Sequence, residues 1–150
     1  MVEDNYRVPS VHAIRTLIAD DNEMVRTQIG EILTTNPALE ICGRSKDGSE
    51  AVDMVRELRP NFVILDISMP GLNGFEAASQ IRQLMPSVKI VILSMHESPQ
   101  LEAAALRAGA DAIVSKRLAA ESLISAIDRL FFADSPAQKI VTEEQVRNSG

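Results

Sequence analysis

Five short runs of apolar, largely β-branched residues punctuate this chain, and longer stretches with a single apolar face separate them. The runs are residues 16–19 (TLIA), 39–43 (LEICG), 62–65 (FVIL), 88–93 (VKIVIL) and 112–114 (AIV), the second being the weakest. Short, nearly continuous apolar runs bounded by turn or charged residues read as strands buried on both faces. The stretches between them, 24–35, 49–58, 75–85, 101–108 and 121–132, repeat apolar residues at helical spacing, as Ala51, Val52, Val55 and Leu58 do in the second. One apolar face at that period is the mark of a helix lying on a core. The punctuation agrees: Asp47 suits an N-cap, Pro86 a stop, Pro99 a first helical turn and Gly109 a C-cap. Strand and helix alternating five times predict an α/β fold with a parallel sheet covered by helices on both sides.

The chain's 150 residues suit one domain with a sizeable core. With 45% hydrophobic residues but only 3% aromatic, that core must be built from Val, Ile, Leu, Ala and Met. A formal charge of −6 argues against nucleic-acid binding by this chain itself and against an anionic membrane surface, since both need clustered Lys and Arg. The single Cys42 cannot close an internal disulfide, and no apolar run approaches a membrane span. A cytoplasmic location is expected. Residues 1–13 read as a flexible N-terminal arm, 14–132 as the folded domain, and 133–150 as a polar tail or the start of a linker. Within that tail Thr142 and Gln145 have the spacing of a capping box.

The residues that follow each strand carry the chemistry. The first strand runs into Asp20-Asp21, the third into Asp66, the fourth into Ser94, and the fifth into Ser115-Lys116. Open parallel sheets bind ligands beyond the carboxyl ends of their strands, where the winding direction reverses. In the order 2-1-3-4-5, strands 1 and 3 flank that point, and three carboxylates meet there. Two like charges about 4 Å apart repel by roughly 4 kcal/mol at an effective dielectric near 20. A hard divalent cation with oxygen ligands, Mg²⁺ above all, offsets such repulsion. Lys116 adds a positive charge suited to a transferred phosphate. The set fits phosphoryl transfer, which depends mostly on positioning and charge neutralisation, and a carboxylate can itself accept the group. Asp66, alone at its strand tip, is the candidate acceptor. The loop after it, ISMPGLNG (67–74), has the Pro and Gly of a tight turn whose backbone carbonyls could add a metal oxygen.

Taken together, Asp20-Asp21, FVILDISMPGLNG (62–74), ILSMH (92–96) and AGADAIVSK (108–116) resemble the receiver domain of bacterial two-component response regulators, over roughly residues 14–132. That resemblance implies a flavodoxin-like (βα)5 three-layer sandwich with strand order 2-1-3-4-5. It implies Asp66 as phosphoacceptor, Mg²⁺ held by Asp21 directly, by Asp20 mainly through water, by Asp66 and by the backbone carbonyl of Ser68. It further implies Ser94 and Lys116 as contacts to the phosphoryl group. The donor would be a phosphohistidine on a sensor histidine kinase or phosphotransfer protein. The switch would act on the fourth helix, fifth strand and fifth helix, with a homodimer as a further partner state. Such a chain is a phosphorylation target that assists its own transfer and dephosphorylation, not a multiple-turnover enzyme. ILSMH and the AGA stretch look most like receivers followed by a helix-turn-helix DNA-binding domain, for which residues 133–150 are too few; the expectation is a single-domain regulator or one whose output domain has been removed.

Two positions depart from the family pattern. Ile113 stands where a switch Tyr or Phe is usual, and Arg117 where Pro usually follows the lysine. His96, two residues past Ser94, is a candidate for tuning water attack or simply an exposed loop residue. The bland reading of Asp20, Asp21 and Asn22 is a helix cap. Two other classes fit less well. An aspartyl phosphohydrolase needs an acid where Ser68 stands, and a nucleotide-binding domain needs glycines where Asp20–Glu23 stands. A receiver used only for docking would leave the full residue set unexplained.

Overall fold

A computed structural model describes residues 13–133 of the chain. The alternation expected from the sequence is present without interruption. β1 (Ile14–Ala19), β2 (Leu39–Ser45), β3 (Phe62–Asp66), β4 (Lys89–Ser94) and β5 (Ala112–Ser115) form one sheet. Between and after them come α1 (Glu23–Leu33), α2 (Gly48–Leu58), α3 (Gly74–Leu84), α4 (Pro99–Arg107) and α5 (Ala119–Phe131). All pairings are parallel, in the order β2-β1-β3-β4-β5. This is the flavodoxin-like arrangement, in which the chain winds one way from β1 to β2 and the other way from β3 onward.

Alternating strand residues divide between two cores. Leu17, Ala19, Val63, Leu65, Ile90 and Ile92 pack with Ala51, Val52 and Val55 of α2, Ala77, Ala78 and Ile81 of α3, and Ala105 of α4. Ile18, Phe62, Ile64, Val91, Leu93 and Val114 pack with Ile29 and Leu33 of α1 and Leu123, Ala126 and Ile127 of α5. A period of two along each strand thus feeds two faces, and both are apolar because helices cover both. The few aromatics act locally: the Phe62 and Phe131 rings meet edge to face at 5.2 Å.

Helix ends are set by the expected residues. Asp47 accepts from Glu50 N at 2.7 Å, and Asn73 and Glu76 form a reciprocal capping box at the start of α3. Pro99 occupies the first turn of α4, whose N-cap is Ser98, and Gly109 follows its end with φ of 104°. α1 stops at Leu33, two residues before the predicted end. There the Thr34 and Thr35 hydroxyls donate to the carbonyls of Glu31 and Ile32, and Pro37 follows shortly after. The expectations for residues 1–12 and 134–150, the Thr142–Gln145 capping box among them, lie outside the described residues.

Candidate functional site: an acidic pocket at the strand tips

Register brings the site together. Ala19 pairs with Leu65 and Asp66 with Leu93, so the residues after β1 and the last residue of β3 emerge side by side at the winding reversal. Ser94 pairs with Ser115, which puts Lys116 one step beyond β5 on the same rim. Carboxylate oxygens of Asp20, Asp21 and Asp66 lie within 4.8 Å of one another. Asp20 is fully buried, Asp66 is 5% exposed, and Asp21 is open to solvent.

Lys116 bridges the two buried acids. Its Nζ donates to Asp66 Oδ1 at 3.1 Å and lies 2.9 Å from Asp20 Oδ2. The second approach is a charge contact away from hydrogen-bond alignment, so Asp20 Oδ2 is a buried oxygen with no donor aimed at it. Three carboxylates therefore face one ammonium. Burial pushes the Asp66 carboxyl above the usual carboxylate range, the Asp20 charge adds to it, and Lys116 opposes without cancelling. Burial works against the Lys116 ammonium too, but the Asp20 and Asp66 carboxylates beside it outweigh that and hold it above the ordinary lysine value.

The β1–α1 turn leaves helix capping to Asn22. Asn22 is the N-cap of α1 and accepts from Val25 N at 3.1 Å. Asp20 and Asp21 are left free for the pocket, with Asp20 Oδ1 accepting from Asn22 N at 2.9 Å. Arg26, which the sequence reading did not single out, donates from Nη1 to the Asp20 backbone carbonyl. Its one sequence signal is a lone basic residue in a helix that begins with Glu23 and holds no other.

The β3–α3 loop is shaped by two glycines and an anchor. Gly71 has φ of 72°, a region that side chains disfavour. Gly74 lies so close to the Asp66 carbonyl that any Cβ would collide with it. Met69 is buried in the core and pins the loop, leaving Ser68 exposed two residues past Asp66.

The remaining candidates sit at the rim. The Ser94 hydroxyl does not bond the acids; it donates to the His96 carbonyl at 2.7 Å and accepts from His96 N at 3.0 Å. His96 is exposed, and Ile113 is half-buried against the first core. Where Pro would have no N–H, Arg117 N donates to Ser115 Oγ at 3.2 Å, and every peptide bond among the described residues is trans.

The residue set suits a hard divalent cation. Its carboxylate oxygens converge within 4.8 Å of one another, and one buried oxygen lacks an aligned donor. A doubly wound α/β protein with an acidic pocket at its winding reversal is thereby defined.

Comparison with known proteins gives the family. The model of the response regulator receiver domain matches residues 16–128. The chain belongs to that family, the receiver domains of two-component signalling. It is 34% identical over 120 residues to the response regulator GacA of Pseudomonas viridiflava, covering 80% of this chain and 56% of that one. It is 43% identical over 60 residues to a protein-glutamate methylesterase/protein-glutamine glutaminase of Pyrococcus abyssi, covering 40% of this chain and 16% of that one. The chain thus spans well under two thirds of these relatives' own length. Among solved structures, a LuxR-family two-component response regulator from Aurantimonas superposes with a TM-score of 0.76 at 29% identity, covering 89% of this chain and 99% of that one. The response regulator domain of Thermotoga maritima CheB does so with 0.72 at 31%, covering 79% and 96%. No helix among the described residues is long and apolar enough to cross a membrane.

Proposed function

We propose that this receiver accepts a phosphoryl group on Asp66 in a Mg²⁺-dependent reaction, with a phosphohistidine of a sensor kinase or phosphotransfer protein as donor. The observation that carries the reading is the unbalanced cluster: three carboxylates, two of them buried, around a single ammonium. A cluster of that kind costs stability in the absence of a ligand, and its composition matches phosphoryl transfer.

Asp66 supplies the nucleophilic oxygen. The phosphorus–nitrogen bond of the donor breaks, its imidazole leaves with the electron pair, and a phosphorus–oxygen bond forms on Asp66. Asp20, Asp21, Asp66 and the Ser68 carbonyl would hold Mg²⁺, which supplies neutralising charge for the approaching phosphoryl oxygens. Lys116 already contacts Asp66 Oδ1 and is placed to follow the charge onto the new phosphoryl group. Ser94 would have to leave the His96 main chain to donate to that group, so phosphorylation would pull on the loop between β4 and α4. That loop lines a cleft of about 570 Å³ with Ile113, Leu118 and Arg129, which supports the α4–β5–α5 face as the output surface. Ile113 takes no ring-flip part, so transmission would run through the loop itself.

The output is a separate matter from the switch. Matching receivers occur in proteins named as methylesterases and in a LuxR-family protein named as a DNA-binding response regulator, so a DNA-binding output is one of two classes the relatives support.

The test is incubation with acetyl phosphate and Mg²⁺ followed by intact-mass measurement. Wild type should gain one phosphoryl group, and Asp66→Asn should gain none. Equal labelling of both would overturn the assignment.

A further inference from the structure

Asp21 is the least supported member of the pocket. Asp20 is held by Asn22 N and Lys116, and Asp66 by Lys116, whereas Asp21 is exposed and its side chain makes no hydrogen bond or ion pair among the described residues. Its carboxylate nonetheless lies within ligand distance of the other two. What places it must therefore be its backbone.

Both peptide units flanking Asp21 are pinned. On its C-terminal side, Asn22 N donates to Asp20 Oδ1 at 2.9 Å. On its N-terminal side, Arg26 Nη1 donates to the Asp20 carbonyl at 2.6 Å. The second clamp comes from one turn inside α1, a rigid element anchored in the core through Ile29 and Leu33. Arg26 reaches no carboxylate in the described residues; its charge rests on a carbonyl, so it orders the turn without neutralising the acids. Without it, the Asp20–Asp21 peptide loses its one clamp from outside the turn.

We propose that Arg26 is a positioning residue that presets Asp21 for the divalent cation by fixing the peptide plane before it. This rests on the Mg²⁺-dependent reading above. Groups that orient metal ligands without touching the metal typically govern about 10- to 100-fold in affinity. Since the ligands themselves are untouched, the loss should fall on Mg²⁺ affinity rather than on the reaction once the site is filled.

Two substitutions separate the hydrogen bond from packing. Arg26→Met keeps the apolar stem and removes the donor, and Arg26→Lys restores one donor. Mg²⁺ binding is read by calorimetry, and phosphoryl uptake from acetyl phosphate is followed against Mg²⁺ concentration. The expected result is about tenfold weaker Mg²⁺ binding in Arg26→Met, recovery of most of that loss in Arg26→Lys, and an uptake rate at saturating Mg²⁺ close to wild type. The proposal is overturned if Arg26→Met binds Mg²⁺ as wild type does, if Arg26→Lys is as impaired as Arg26→Met, or if the uptake defect persists at saturating Mg²⁺. Failure of wild type itself to bind Mg²⁺ would overturn the reading beneath it as well.

Discussion

Opposite ends of the same sheet hold two clusters of charge, and they are built on contrary plans. At the amino ends of β4 and β5, Arg82 spends all five of its N–H donors. Nε and Nη2 donate to the Gly109 carbonyl, Nη1 to the carbonyls of Pro86 and Val88, and Nη2 to Asp111 Oδ2. Asp111 Oδ2 accepts from Ile90 N as well. One cation meets one anion, and the surplus donors go to backbone carbonyls. At the carboxyl ends, three acids share one lysine and a buried oxygen lacks an aligned donor. A satisfied network stabilises a fold, and a half-satisfied one costs energy that a ligand can recover. The difference separates a structural staple from a candidate binding site without reference to any relative.

Removing the staple should show the larger effect. Arg82→Ala takes the paired cation from the Asp111 carboxylate and the donor from three carbonyls, and should cost about 2–4 kcal/mol. Urea denaturation would measure it, and a loss under about 1 kcal/mol would reduce the cluster to an ordinary surface pair.

The two ends also differed in how far the sequence disclosed them. Asp20, Asp21, Asp66 and Lys116 were legible because each lies one or two residues past a β-branched run, and a parallel sheet brings such positions to one rim. The staple was not, because Arg82 acts through carbonyls of residues 86, 88 and 109, and backbone acceptors leave no residue-type signature. Arg26 escaped for the same reason. The direction of the Ser94 hydroxyl depends on the turn after β4, which composition does not encode. β2 was the faintest strand because it lies at the sheet edge, where Glu40 and Arg44 face solvent, and its pairing with β1 is interrupted between Thr16 and Leu17. Strand pairing extended β1 back to Ile14 and Arg15, which their half-exposed side chains had concealed.

At the acidic end a substitution should act in the opposite sense. Asp66→Asn removes one of three repelling charges while keeping an oxygen acceptor for Lys116, and should stabilise the Mg²⁺-free protein by about 1–2 kcal/mol. The pH dependence follows from the raised Asp66 pKa. A group whose pKa is higher folded than unfolded contributes full stability below its unfolded pKa and loses it as pH rises through the folded value. The variant's advantage should thus be small where Asp66 is protonated in both states and grow toward neutral pH. Thermal melts from acid to neutral pH would follow it. A constant advantage at all pH values would detach it from the Asp66 charge.

The most direct test of the unbalanced pocket is the thermal midpoint with and without Mg²⁺, for wild type and Asp66→Asn side by side. A ligand that binds only the folded state at a hundred times its Kd adds about 2.7 kcal/mol. Wild type should therefore rise by several degrees in saturating Mg²⁺, and Asp66→Asn, already relieved of one charge, by clearly less. Equal shifts in the two proteins, or none in wild type, would contradict the claim that excess negative charge at these strand tips is what the cation answers.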